Sequence, residues 1–308
     1  MTKSSRKYTR RTKNKRIHTS NHRHHTQLNR VSRLQSGGNK NLKDLITISI
    51  LSWKAPMTLK NTLDSYVKNN LFNNVKPSIY FQERTDEMDA LAKGYGIKDI
   101  MGTSENIGLI KVFHAMVMNT KTPYFIFAEC DYELIHGETK TRQVLEDAIK
   151  LMTDENVDLV RLRDRKNPGW PNSARRSLHI SDEELETYDY SSFGHKLETV
   201  SFLNKPEEKM PNVFTIKKPP EYNYKWYICN FLCSKWSGHV FIAKTAFLKE
   251  TVLPFLEPYL NDTRRFGLME GLLHGDDTPL KKQLSAQGEG LFKHNRLDQI
   301  CSGDCRTS

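Results

Sequence analysis

The sequence predicts an α/β protein, a mostly parallel sheet with helices on both faces, preceded by a disordered basic tail. Three observations predict it. Apolar, β-branched or aromatic runs at 45–51 and 124–128 have the continuous character of strands buried on both faces. Amphipathic stretches of helical spacing alternate with such runs, as in successive strand–helix–strand units. The composition changes abruptly after Gly37-Gly38, where a polar basic leader gives way to the first apolar run.

The leader explains the charge. The 308 residues carry a formal net charge of +11, yet residues 1–43 hold 13 Lys+Arg and no Asp or Glu, leaving the remainder at −2. With few large apolar residues, the leader cannot bury enough surface to offset its ordering entropy, and disorder is expected. It reads as an anchor for nucleic acid, anionic lipid or another polyanion, as a solvated leader with no specific partner, or as an acid-free transit peptide. The near-neutral remainder has no basic patch interleaved with aromatics, so nucleic-acid binding is not expected of it. A hydrophobic share of 37% suffices for a core over 44–300, with a short tail at 301–308. No apolar run approaches the roughly 18–20 residues of a membrane span, and the N-terminus has no secretory apolar core, so a cytoplasmic location is expected. Five cysteines, an odd count, point to reduced thiols. Cys229/Cys233 and Cys301/Cys305 have three residues between them, where zinc ribbons more often have two.

In chain order, Pro56 opens a helix with Leu59, Leu63 and Tyr66 on one face. A strand is expected at 78–81, a helix from about Asp86, and another from Ile107 to Met118 behind Asn106. The strand at 124–128 runs into Glu129-Cys130-Asp131-Tyr132-Glu133, and Gly137 precedes a helix over about 139–152. A strand follows at 157–160. The segment 165–222 is polar and reads as long loops with one short helix, of the kind that form lids. Core-like sequence returns at Trp226 and runs to Ile242, with helices at about 245–257 and 278–286.

The chemistry gathers at the acidic strand end. Ligands of open α/β sheets bind beyond the carboxyl ends of strands. In extended chain Glu129, Asp131 and Glu133 fall on one side, and converging carboxylates repel unless a hard cation such as Mg²⁺ or Mn²⁺ lies between them. An ordinary acidic loop is the alternative.

A buried strand ending at Ser52-Trp53, Asn106-Ile107-Gly108 before a helix, and a hydrophobic strand entering acid-x-Asp together resemble the family-2 glycosyltransferases over roughly 44–298. The resemblance implies an A-type glycosyltransferase fold and a nucleotide-sugar donor, a UDP- or GDP-sugar. It also implies a glycan or protein acceptor and Mn²⁺ or Mg²⁺ held at an Asp-x-Asp pair. The matching positions are Glu129 and Asp131, with Glu in place of the first Asp; Asp131-x-Glu133 is the alternative frame. Trp236-Ser237-Gly238 resembles the family's glycine-containing loop beside the donor sugar. Gly275-Asp276-Asp277, ahead of the expected helix from Thr278, resembles its Glu-Asp motif. Asp277 is then the base that takes the acceptor proton in an inverting displacement, with Glu270 the alternative in another register. Helix capping is an ordinary role for the same two acids. His294 resembles a C-terminal metal or diphosphate contact, and Arg296 is a second diphosphate candidate. Ser52 and Trp53, with Gln82 or Glu83, fall where the family receives base and ribose; Trp170 or Trp236 could stack on a sugar face. A nucleotidyltransferase is the rival enzyme class, but 52–56 is not its Gly-rich phosphate loop.

Overall fold

The computed structural model describes residues 41–169, 178, 180–181, 183–261, 269–274 and 278–298. The first apolar run forms β1 (Ile46–Ser52), buried at every position because it is paired on both edges and covered on both faces. Helix α1 (Pro56–Lys68) follows, with Pro at its first turn and Leu59, Leu63 and Tyr66 fully buried. β2 (Lys76–Gln82) leads to α2 (Asp86–Gly94). Thr85 caps α2 by accepting from the Met88 N–H, and Asp86, Glu87 and Asp89 occupy the dipole-positive first turn. Then come β3 (Asp99–Thr103), α3 (Leu109–Asn119), β4 (Tyr124–Glu129), β5 (Tyr132–Leu134), α4 (Glu138–Asp154) and β6 (Val157–Arg163). The remaining strands are β7 (Thr215–Lys217), β8 (Trp226–Asn230), β9 (Phe241–Lys244) and β10 (Leu284–His294).

These ten strands make one sheet in the order β3-β2-β1-β4-β9-β6-β10-β8-β7, with β5 also on β10. The pairs among β3, β2, β1 and β4, and the pair β6–β10, are parallel. β9 lies antiparallel between β4 and β6. Alternating residues of β4 serve different cores. Tyr124, Ile126 and Ala128 pack with α1 and α4; Phe125 and Phe127 pack with α3 and the helical stretch from Thr245 to Leu256. Helices therefore cover both faces, and the expected α/β layering holds. Among the described residues no helix is long and apolar enough to cross a membrane.

The C-terminal part departs from the sequence reading. No helix occupies 278–286; Pro279–Lys282 is a single 3₁₀ turn, and β10 starts at Leu284. The helix expected at 278–286 gives way to tertiary pairing with β5, β6 and β8. The register on β6 breaks between Gln287 and Phe292, where Gly290 (φ 70°) backs onto the Arg163 carbonyl; a Cβ there would lie 2.0 Å from that oxygen. The region 165–222 also has more structure than loops. It holds the 3₁₀ turn Lys196–Ser201, the short helix Pro206–Lys209, edge strand β7 and an apolar cluster around Tyr190, Phe193 and Leu203.

Candidate active site

Parallel pairing of β1 with β4 sets Leu51 beside Glu129, so both strands end on the same edge of the sheet. The Cys130 N–H donates to the Leu51 carbonyl (2.8 Å) and the chain turns, placing Asp131 almost wholly inside the protein (2% exposed). The end of β10 comes back over this turn through its antiparallel pairing with β5. His294 Nε2 lies 3.2 Å from Asp131 Oδ2, Arg296 Nη1 is 3.8 Å from the same oxygen, and the Asn295 N–H donates to the Asp131 carbonyl (2.7 Å). Asp131 Oδ1 is buried with no hydrogen-bond partner among the described residues. A buried carboxylate oxygen without a partner carries a desolvation cost, and such sites call for an explanation.

Glu129, half-buried, has its pKa pushed up to about 8. Burial contributes most, and the Asp131 and Glu270 carboxylates add to it against the opposing pull of His294 and Arg296. Gly238 lies against this pair: its N–H donates to Glu270 Oε1, and a Cβ there would stand 3.1 Å from Glu270 and 3.7 Å from Glu129. The absent side chain lets two carboxylates and a backbone amide share one small space. Glu270 sits in the first turn of the short helix Met269–His274.

At the ends of β1 and β2, the half-exposed Trp53 donates from Nε1 to Glu83 Oε1 (2.9 Å), and Lys54 Nζ lies 3.1 Å from Glu83 Oε2. Those two contacts hold the Glu83 carboxyl below its usual pKa. Gln82 points inward, and its Oε1 accepts from the Ile107 N–H (3.0 Å). Asn106 Oδ1 accepts from the Gly108 N–H (3.0 Å) as the chain turns into α3. Ser52 is buried beside the Cys130 thiol, whose pKa burial pushes up to about 12.

No family model matches the sequence, and no curated protein does. Among solved structures, the chain is similar to residues 1–349 of TarS from S. aureus, with 11% identity over 82% of this chain and 60% of that one (TM-score 0.49). It is similar to the Mycobacterium tuberculosis glucosyl-3-phosphoglycerate synthase in complex with Mg²⁺ and uridine diphosphate, with 14% identity over 88% and 76% of the chains (TM-score 0.45). A third is the mannosyltransferase PcManGT of Pyrobaculum calidifontis in complex with GDP-Man and Mn²⁺, with 10% identity over 73% and 53% (TM-score 0.38). At these identities and TM-scores, the likenesses transfer neither a residue's role nor a ligand.

The structure thus brings Glu129, Asp131, His294, Arg296 and Gly238 together. It joins to them Glu270, the alternative base of the sequence reading, whose closeness to Gly238 across 32 positions no local pattern announced. Glu133 is not part of this group: Asn61 Nδ2 and Asn295 Nδ2 both donate to its Oε1, which makes it a clamp between α1 and the end of β10. Extended-chain alternation brought it in, but the chain turns at Cys130-Asp131. Trp236 is corrected as well. It is 1% exposed, in edge or stacked contact with Phe113, Phe231 and Phe241, so neither ring face is open to a sugar. Gln82, Asn106 and Gly108 shape a loop rather than present free groups. Asp276, Asp277 and Trp170 lie outside the described residues.

For a divalent cation the donor chemistry fits: two carboxylates and an imidazole, one buried oxygen without a partner, and like charges with too little compensation. Among the described residues, however, no three His, Cys, Asp or Glu side chains are grouped closely enough to hold a metal.

Proposed function

We propose that this chain transfers a sugar from a nucleotide-diphosphate donor to an acceptor hydroxyl, with inversion, using Mn²⁺ or Mg²⁺. The observation that carries the reading is the crowding of Glu129 by the carboxylates of Asp131 and Glu270, the latter sharing Gly238 with it, at the carboxyl edge of the sheet. Uncompensated carboxylates destabilise a fold, and such a site persists where a cationic or polar ligand completes it. Trp53 and Glu83 present a flat ring and a carboxylate at the ends of β1 and β2, suited to a base and a ribose. Asp131 and one neighbour, Glu129 or His294, would hold the cation, with the donor phosphates supplying further oxygens, and the cation when bound offsets charge on the departing diphosphate. Arg296 adds a fixed positive charge on the same side.

Among the described residues Glu270, the alternative base of the sequence reading, is the carboxylate that reaches the Gly238 backbone beside Glu129, and it takes the acceptor proton; Asp277 lies outside the described residues. A base must lie within hydrogen-bond reach of the attacking hydroxyl, and the absent side chain at Gly238 leaves room for that approach.

The test is a panel of UDP-, GDP- and TDP-sugars with Mn²⁺, read by donor hydrolysis and thermal shift. At least one donor is expected to respond; silence from all, with and without metal, overturns the reading. Asp131→Asn is expected to lose metal-dependent donor binding. Glu270→Gln is expected to keep it and lose about 10²–10⁴-fold in turnover, the usual scale for a general base. If Glu270→Gln turns over normally and Asp277→Asn does not, the base is Asp277.

A further inference from the structure

Helix α1 carries a polar stripe beside its apolar one. Thr62 Oγ1 donates to the Cys130 carbonyl (2.6 Å), Ser65 Oγ accepts from the Leu134 N–H (3.0 Å), and Asn69 Nδ2 donates to the Leu134 carbonyl (2.7 Å). Spaced three or four positions apart, these residues run along one side of the helix and hold the backbone before and after Asp131.

Thr58 continues the stripe at the first turn, fully buried, but its partners come from the far end of the chain. Its Oγ1 accepts from the Leu297 N–H (2.9 Å) and the Asp298 N–H (3.0 Å), and its own N–H donates to Asp298 Oδ2 (2.7 Å). The Asp298 carboxylate also accepts from the Met57 N–H. The first N–H groups of a helix have no partner within it, and a capping side chain usually meets them. Here Ala55 stands at the capping position and offers none, and Pro56 has no N–H. Asp298 does the capping instead, 240 positions beyond Thr58.

The chain between β10 and this cap is short and polar. The Asn295 N–H donates to the Asp131 carbonyl, and Asn295 Nδ2 donates to Glu133, which Asn61 of α1 also holds. Arg296 and Leu297 are exposed, Leu297 by 47%, so neither buries an apolar side chain that would pin the segment. Hydrogen bonds fix it at two points, Asn295 and the Thr58–Asp298 pair, and Arg296 hangs between them. A long side chain on a loose segment must be ordered when it meets a ligand, and anchoring its backbone beforehand lowers that cost.

We propose that Thr58 and Asp298 form a latch that positions Arg296, and with it His294, against Asp131, so that the diphosphate side of the donor site is set from the first turn of α1. The nature of the ligand rests on the transferase reading above; the latch does not. Because α1 begins three residues after Trp53, the latch also fixes the spacing between the ring proposed for the base and the charge proposed for the diphosphate.

The test uses Asp298→Ala and Thr58→Val in the full-length protein, with Thr58→Ser as the variant that keeps the hydroxyl. Without ligand, amide hydrogen exchange followed by NMR reads the Asn295 N–H. Its exchange is expected to quicken about tenfold in the first two variants, and to stay as in the parent in Thr58→Ser, with the amides of β1 and β4 unchanged. Unchanged Asn295 exchange in a folded variant overturns the proposal. Calorimetry with UDP, GDP and TDP, each with Mn²⁺, reads the consequence. Binding is expected to weaken about tenfold in Asp298→Ala and Thr58→Val, the scale found for residues that orient a ligating group, and to persist in Thr58→Ser. Since the latch acts through Arg296, adding Asp298→Ala to Arg296→Met should weaken binding no further. A merely structural cap would lower the melting temperature with binding intact, or weaken binding equally with and without Arg296, and either result overturns the proposal. Should Asp298→Ala fail to fold, Thr58→Val alone and paired with Arg296→Met gives the same comparison. Latch-dependent exchange at Asn295 in a protein that binds none of the three nucleotides would keep the latch and sink the transferase reading, so the two failures are distinguishable.

Discussion

Glu129 illustrates how a single residue at a proposed site can weigh on stability. Its pKa stands near 8 in the folded protein, above the ordinary 4.5, so the folded state holds a proton that the unfolded chain has released between those values. An acid raised in this way contributes stability that is complete below about pH 4.5 and is lost as pH rises through about 8. Glu129→Gln removes that loss. Allowing for solvent screening at a half-buried site, we expect the metal-free variant to gain about 1–2 kcal/mol at pH 8. That corresponds to a melting temperature roughly 2–5 °C higher, with little change at pH 5. The same variant should lose metal-dependent donor hydrolysis. Thermal melts at the two pH values check the sign; a variant less stable at pH 8 would show that Glu129 is satisfied rather than strained. Asp131 was legible in sequence as a strand-end acid, whereas its unpartnered Oδ1 was not. That atom's isolation depends on Asn295, His294 and Arg296 arriving from more than 160 positions away.

At the level of elements, what the sequence disclosed divides by range of interaction. β1, β4 and α1 follow from local signals: continuous apolar runs, a Pro at a first turn, and apolar residues at helical spacing. β10 gives no such signal, since its glycines interrupt any pattern and its three partners lie far away in sequence. Those glycines are what permit the strand. Gly290 combines a positive φ with a Cβ position 2.0 Å from the Arg163 carbonyl, while Gly96 has a similar φ (76°) with nothing within 4 Å. The pair separates conformation from crowding. Gly96→Ala is expected to cost about 1 kcal/mol from the backbone alone. Gly290→Ala is expected to cost about 2–4 kcal/mol, because the backbone of β6 must also move. Arg163 reaches His239 Nε2 at 3.1 Å and the Pro168 carbonyl at 2.7 Å, so the movement should also disturb those contacts. Chemical denaturation of both variants checks the ordering; equal costs would mean that the bulge yields freely. Glu270 was readable in sequence only as an alternative base; its contact with Gly238 was not, because only the folded chain puts the two together.

For the whole molecule, the governing feature is the separation of charge along the chain. Residues 1–43 carry +13 and the rest −2. Several cations of the described part are occupied locally: Arg84 pairs with Asp89 (2.6 Å), Lys217 with Glu155 (2.6 Å) and Lys244 with Asp158 (3.2 Å), while Arg161 and Arg163 are buried. These add little to any long-range attraction for a polyanion, because paired opposite charges cancel beyond a Debye length of about 10 Å at 0.1 M salt. Affinity for a polyanion should therefore reside in residues 1–43. It should fall steeply with salt, since each neutralised negative group releases condensed counterions. Deleting residues 1–43 is expected to abolish retention on immobilised heparin at 0.15 M salt. Donor hydrolysis should stay within about twofold, because the residues proposed for the donor site, from Trp53 to Arg296, all lie beyond residue 43. Chromatography of the two forms across a salt series, with hydrolysis assayed on each, checks both halves. Retention that survives the deletion would place a cationic surface on the globular part. Loss of hydrolysis in the shortened chain would mean that the leader contributes to the active site, and the division of the molecule into a basic leader and an independent catalytic body would fall.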